Sequence, residues 1–326
     1  MRALGDARSI GRLPRVGLAM SVTGPQGAPP VVVRTTRGLW QLGGRVRLMG
    51  IVNATPDSFS DGGVQRTLAE RVALAEEQLE AGAELIDIGG ESGVTNRPAV
   101  DAAEEIKRVV PLIKEVAGGL GALVSVDSYK PAVARAAIEA GAAIINDVSA
   151  LRDPALADIC AETGAGLVLM HTRAAPKVKV LDRAYDDTIV NDVRSLLDEL
   201  IALACSRGVD PSQLILDPGP DFAKTPFQTV QVMRAVGELH SFGRPLLLAI
   251  SRKDFIGAVT GRPPRERLAG TLAALAHGAA NGAHIVRIHD VAAARDFLDV
   301  LDVLDGRRSL DPEELLGDGI RWERQG

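Results

Sequence analysis

From residue 46 to residue 304 the sequence alternates eight times between a short apolar run and a longer segment of helical periodicity, with loops in between. The runs at 46–52, 84–88, 122–126, 143–146, 166–170, 213–216, 245–250 and 284–288 have strand length. The segments at 67–81, 102–116, 131–140, 154–162, 187–207, 227–239, 265–280 and 291–304 carry apolar residues at helical spacing. Strands apolar on both faces belong to a parallel sheet covered by helices, because only burial on both sides tolerates them. Several helical segments end in Ala-Gly-Ala, Thr-Gly-Ala or Asn-Gly-Ala, where glycine accepts the left-handed turn that leads into the next strand. Units of this kind joined by right-handed crossovers close into a barrel, so the expected fold is α/β, a single (β/α)8 TIM barrel. A doubly wound open sheet shares the periodicity. Against it, open sheets with that many parallel strands are less usual, and no Gly-x-Gly-x-x-Gly follows the first strand.

Ahead of the repeat, VVVRTT and RGLWQLGG read as a short N-terminal β-hairpin, so the barrel domain with its hairpin is expected over 31–305. Residues 1–30 are rich in Gly, Pro and Arg and lack the apolar stretch of a secretory signal; a disordered extension is expected there, with Met20 as a second start. Residues 306–326 are expected to form a polar tail. The formal net charge of -5 gives no electrostatic reason for nucleic acid or an anionic membrane as partner. No apolar run reaches the roughly 20 residues that span a bilayer. Cys160 and Cys205 both fall in helical segments, which leaves no disulfide framework and fits a reducing cytoplasm.

In a barrel of this kind the chemistry gathers at the carboxyl ends of the strands. The residues at or just past those ends are Asn53, Asp87 with Glu91, Asp127, Asn146, Met170 with His171, Asp217, Lys253, and Arg287 with His289. Each alone has an ordinary structural reading: an Asp or Asn caps a helix or holds a turn, His171 is a satisfied structural histidine, and Met170 packs in the core. Together they describe one small polar volume. It suits a flat heterocycle with many donors and acceptors joined to an anion. A carboxylate accepts paired N–H bonds from such a ring, Lys253 can donate to a ring carbonyl, and Arg287 with His289 can hold phosphate oxygens.

The segment MGIVNATPDSFSDGG at 49–63 resembles the first strand and loop of the dihydropteroate synthase family. Further matches follow in order: DIGGES at 87–92, VDSYKP at 126–131, INDVSAL at 145–151, LMH at 169–171, LDPG at 216–219, SRKDFIG at 251–257 and VRIHD at 286–290. The resemblance implies a transferase that joins hydroxymethyl-dihydropterin diphosphate to 4-aminobenzoate with Mg2+ as cofactor, acting in the cytoplasm as a homodimer. It implies pterin contacts from Asp127, Asn146, Met170, Asp217, Lys253 and Arg287, and catalytic roles for Asp87, Asp127 and Lys253. Diphosphate falls to Asn53, Thr95, Arg287 and His289, with Asn53 also on the metal. The aminobenzoate side falls to Thr55, Pro56, Asp57, Phe59, Arg97, Phe222 and Ser251.

Two stretches depart from the family pattern. Where the family usually reads Glu-Ser-Thr-Arg-Pro-Gly, ESGVTNRPAV at 91–100 has three more residues between Ser92 and Arg97. At 217–224, DPGPDFAK replaces the more glycine-rich DPGFGFGK; Phe222 and Lys224 stay, whereas Pro220 and Asp221 are unusual. Both changes bear on the amine side. The altered loop at 91–100 leaves open a catalytically silent pterin-binding paralogue. A pterin-dependent methyltransferase domain is the other alternative, disfavoured by the loop after Asn53 and by the Arg287 and His289 pair.

Overall fold

A computed structural model describes residues 28–55, 66–93, 95 and 98–312 of the protein. Ten strands are present among them: β1 (Ala28–Thr35), β2 (Gly38–Gly44), β3 (Arg47–Asn53), β4 (Leu85–Gly89), β5 (Val124–Asp127), β6 (Ile144–Asp147), β7 (Gly166–Met170), β8 (Leu214–Asp217), β9 (Leu247–Ala249) and β10 (Ile285–Ile288). The helices are α1 (Leu68–Glu80), α2 (Ala102–Ile113), α3 (Pro131–Glu139), α4 (Ala155–Thr163), α5 (Ile189–Ser206), α6 (Pro226–Arg234), α7 (Asp254–Thr260), α8 (Leu268–Ala280) and α9 (Val291–Leu304). From β3 onward each strand pairs in parallel with its neighbour in chain order, and β10 returns to β3 with Ile285 opposite Arg47. Between β8 and β9 the ring is joined at Leu216 and Leu246, where the Leu216 N–H also donates to the Pro245 carbonyl at 2.9 Å. That closure decides for the (β/α)8 barrel over the open sheet.

The strand period of two sorts the side chains. Outward residues such as Leu48, Ile86, Val124, Ile145, Leu167, Leu214, Leu248 and Val286 pack under the helices. Inward residues Met49, Leu85, Ile144, Val168, Ile215, Leu247 and Ile285 make an apolar plug across the barrel. One pleat farther along, the same inward face carries Asp87, Asn146, Met170, Asp217 and Arg287. The barrel interior therefore changes from oil to charge over a single side-chain layer.

The hairpin completes the apolar end. Val33 and Leu42 are buried against the plug, while Arg37 donates to the carbonyls of Ala117 and Ala122, both ahead of β5. Pro29 accepts from His284 Nε2 at 2.9 Å, just before β10. The hairpin thus covers the amino-terminal mouth of the barrel. The first hairpin strand begins at Ala28, ahead of the β-prone run at Val31.

Helix boundaries follow local chemistry. Thr67 with Glu70 and Thr225 with Gln228 form capping boxes that start α1 and α6. The segment expected as one helix over 227–239 breaks after Arg234 and continues as a tighter turn, Val236–Phe242. The segment at 102–116 passes at Lys114 into a wider turn, Lys114–Gly119. Helix α7 has no counterpart among the periodic segments, because seven residues are too few to show a period. No helix among the described residues is long and apolar enough to cross a membrane.

Candidate active site

Arg287 is the hub of the polar layer. Its Nε donates to Asp87 Oδ2 at 2.6 Å and its Nη2 to Asp127 Oδ2 at 2.9 Å, joining β10 to β4 and β5. Asp87 is fully buried and also accepts from Ser125 Oγ at 2.5 Å and Asn146 Nδ2 at 3.2 Å. A carboxylate removed from water needs this many donors, because an unpaired buried charge costs several kcal/mol. Asp127 is less satisfied. Burial pushes its carboxyl up to about 7 against the pull of Arg287, with Asp87 and Glu105 raising it further.

Asp217 ends β8 and is buried; its Oδ1 accepts the Gly219 N–H at 2.7 Å. Burial pushes this carboxyl up to about 6, opposed by the Gly219 bond and by the charges of Lys253 and Lys224. The turn itself demands glycine. Gly219 has φ of +64°, and a Cβ there would lie 2.2 Å from the His171 carbonyl oxygen. Gly219→Ala should therefore destabilise the protein by about 3 kcal/mol or more, the sum of backbone strain and overpacking, as read from urea unfolding. A loss below about 1 kcal/mol would contradict the close approach.

Beneath that turn lies Lys224, which sequence reasoning noted but gave no role. It is buried, and its Nζ donates to His171 Nδ1 at 2.7 Å and to the carbonyls of Gly219 at 2.9 Å and Phe222 at 3.2 Å. Burial pushes Lys224 down to about 7. His171 Nε2 in turn meets Asp192 Oδ2 at 2.9 Å, so both ring nitrogens serve the scaffold. The neutral tautomer with hydrogen on Nε2 fits these partners, and burial pushes the ring down to about 4. The structural reading of His171 holds. Burial alone gives no sequence signal for Lys224.

Lys253 stands at the start of α7 with its Nζ 4.4 Å from the centre of the Phe222 ring. Beside it Ser251 Oγ accepts the His289 N–H at 3.1 Å and meets His289 Nδ1 at 2.9 Å, which links β9 to the end of β10. Met170 is buried at the end of β7, next to Asp217 in register. These residues, like Asp87, Asp127, Asn146, Asp217 and Arg287, lie at or just past the carboxyl ends of their strands.

The residues that the family resemblance assigns to the amine are only partly described. Asn53 ends β3, and the following Ala54 N–H donates to the Gly89 carbonyl at 2.8 Å. Thr55 is buried, and its carbonyl accepts from Arg71 Nη2 at 2.9 Å. Pro56, Asp57, Phe59 and Arg97 lie outside the described residues, and Thr95 is exposed. Glu91 is spent on holding the second loop: it accepts from the Val100 N–H at 2.8 Å, Lys130 Nζ at 2.6 Å and Tyr129 Oη at 3.1 Å. Lys177 Nζ donates to the Ser92 carbonyl at 2.5 Å from the loop after β7.

No group of three or more His, Cys, Asp or Glu side chains suited to a metal occurs among the described residues. Magnesium nevertheless fits the donor set in one way. It takes oxygen donors, keeps several waters and is completed by substrate phosphate oxygens, and Asn53 at the end of β3 would add one amide oxygen to such a set.

Residues 49–289 match the family model described as pterin binding enzyme. The chain is 43% identical to the dihydropteroate synthase of Bacillus subtilis over 258 residues, 79% of this chain and 88% of that one. Among solved structures it is similar to Xanthomonas albilineans dihydropteroate synthase with 4-aminobenzoic acid, at a TM-score of 0.77 and 41% identity over 84% of this chain and 98% of that one. A second Xanthomonas albilineans structure, in complex with 7,8-dihydropteroate, gives a TM-score of 0.71 and 42% identity over 80% and 94% of the two chains.

Proposed function

Because the chain belongs to the dihydropteroate synthase family of pterin-binding enzymes, we propose that its strand-end site carries out that family's condensation with the residues named above. The protein is a transferase that joins 6-hydroxymethyl-7,8-dihydropterin diphosphate to 4-aminobenzoate, giving 7,8-dihydropteroate and diphosphate. The observation that carries the residue roles is the polar layer itself, in which Asp217, Asn146, Lys253 and the Asp87, Arg287, Asp127 triad share one face of the barrel.

In this reading Asp217 and Asn146 accept and donate along the edge of the pterin, and Lys253 donates to its ring carbonyl. Met170 packs against the ring. The carbon–oxygen bond to diphosphate breaks with its electrons leaving on the diphosphate, the aromatic amine supplies the pair for the new carbon–nitrogen bond, and the amine then gives up a proton. Asp87 and Asp127 offset positive charge that develops on the pterin, while Arg287 and His289 offset the negative charge of the departing diphosphate. Asn53 is the residue that would hold magnesium, whose chemistry there is to neutralise diphosphate oxygens. Catalysis is positional and electrostatic, with no side-chain nucleophile.

Thr55, Phe222 and Ser251, together with Pro56, Asp57, Phe59 and Arg97, make up the aminobenzoate side in this proposal, and Thr95 joins the diphosphate contacts. We also assign a homodimer acting in the cytoplasm. Phe227, Val259 and Leu268, exposed apolar side chains on the successive helices α6, α7 and α8, support a helix-mediated contact. The test of function is turnover: with both substrates and magnesium the purified chain should release diphosphate and dihydropteroate in equal amounts. Tight pterin binding without either product would favour the silent paralogue and overturn the assignment.

A further inference from the structure

Asp221, an unusual residue in the loop after β8, is built into the frame of the site. Its φ of 64° lies in the left-handed region, which an aspartate adopts at some cost and a glycine adopts freely. Its side chain accounts for its presence. One carboxylate oxygen accepts the N–H groups of Asp254 at 2.5 Å and Phe255 at 3.3 Å, the two residues that follow Lys253. The other accepts from Thr229 Oγ1 at 2.9 Å on α6, and that hydroxyl oxygen accepts the Asp221 N–H at 3.0 Å. A single carboxylate thus ties the β8 loop to α6 and to the first turn of α7.

The opposite side of the same turn is braced as well. Arg252, with φ of 55°, donates its N–H to Thr271 Oγ1 at 3.0 Å, and Arg267 Nη1 donates to the carbonyls of Arg252 at 2.9 Å and Lys253 at 3.1 Å. Lys253 itself makes no side-chain cap for α7. The cap comes from Asp221, one residue before the Phe222 ring over which the Lys253 ammonium rests.

We propose that Asp221 is a positioning residue for Lys253: by capping α7 from the neighbouring loop it fixes where the lysine presents its charge to the pterin. The proposal rests on the reading of Lys253 as a pterin contact. The electrostatics point the same way. Lys253 faces Asp217, Asp127, Arg287 and Lys224 from the strands and the β8 loop, Asp254 on its own helix, and Asp221. Burial lowers the Lys253 ammonium from its ordinary range, and Asp221 is foremost among the groups opposing that loss.

The test uses binding of phosphate-free hydroxymethyl-dihydropterin to the full chain, followed by fluorescence from neutral to alkaline pH. Asp221→Gly relieves the positive φ and removes only the carboxylate, so it should fold; the loss of charge-assisted bonds should weaken binding about tenfold near neutrality. Its alkaline limb, where Lys253 loses its proton, should begin at lower pH. Asp221→Asn keeps acceptor oxygen and size, and should restore the affinity near neutrality without restoring the limb. In a Lys253→Met background, Asp221→Gly should add nothing. Parental binding by Asp221→Gly at every pH, or equal weakening in both backgrounds, would overturn the proposal while leaving Lys253 as a pterin contact. A Lys253→Met protein that binds pterin like the parent would overturn the reading of Lys253 and this proposal with it.

Discussion

Asp217→Ala is expected to weaken pterin binding by about 100-fold or more, because two hydrogen bonds to a charged acceptor disappear and the ring donors are left unpaired in a closed pocket. The same change should leave folding stability within about 1 kcal/mol of the parent, since the lost bond to the Gly219 N–H is offset by removal of a carboxyl that burial disfavours. The contrast between a large binding loss and a small stability loss is the mark of a group kept for its ligand. Titration calorimetry with hydroxymethyl-dihydropterin and urea unfolding read the two quantities separately. A variant that binds normally, or that fails mainly by unfolding, would remove Asp217 from the pterin floor.

The second large effect belongs to Arg287. Substitution by methionine keeps much of the side-chain length but strands Asp87 and Asp127 beside each other, and should destabilise the protein by about 3 kcal/mol or more. Its pH dependence follows from Asp127. With a folded-state value of about 7, raised above the ordinary carboxylate range, Asp127 binds a proton more readily in the folded than in the unfolded state. Stability is therefore gained as pH falls from about 7 toward the unfolded value of about 4, and losing Arg287 raises the folded value further. The deficit of the variant should be greatest above neutrality and shrink on acidification. A deficit that is constant with pH would mean the arginine acts through packing alone.

Much of this site was legible because a barrel strand has only one way to present its last inward residue. Asp87, Asp127, Asn146, Asp217 and Arg287 were recognisable from their position after apolar runs, and the structure brings them into a single layer. Their partners were not legible. Arg287 lies 200 residues from Asp87 and 160 from Asp127, and no local pattern says that its guanidinium will bond carboxylates of the protein. His171 had two readings until its ring was seen between Lys224 and Asp192. Helix α7 was hidden by its brevity, and with it the reason for Asp221, whose carboxylate caps a helix 33 residues away. The departure at Asp221 reads in the sequence as bearing on the amine side, whereas its carboxylate accepts the N–H groups of the two residues that follow Lys253.

The central claim is that an ionised Asp217 holds the pterin. Affinity for phosphate-free hydroxymethyl-dihydropterin, measured from about pH 8 to about pH 5, tests it most directly, because ring N–H donors bind the carboxylate and not the acid. With Asp217 pushed up to about 6, affinity should fall about tenfold for each pH unit below that value. In Asp217→Asn this limb should vanish. A parent whose affinity does not fall below pH 6, or an asparagine variant that keeps the parental limb, would contradict the assignment.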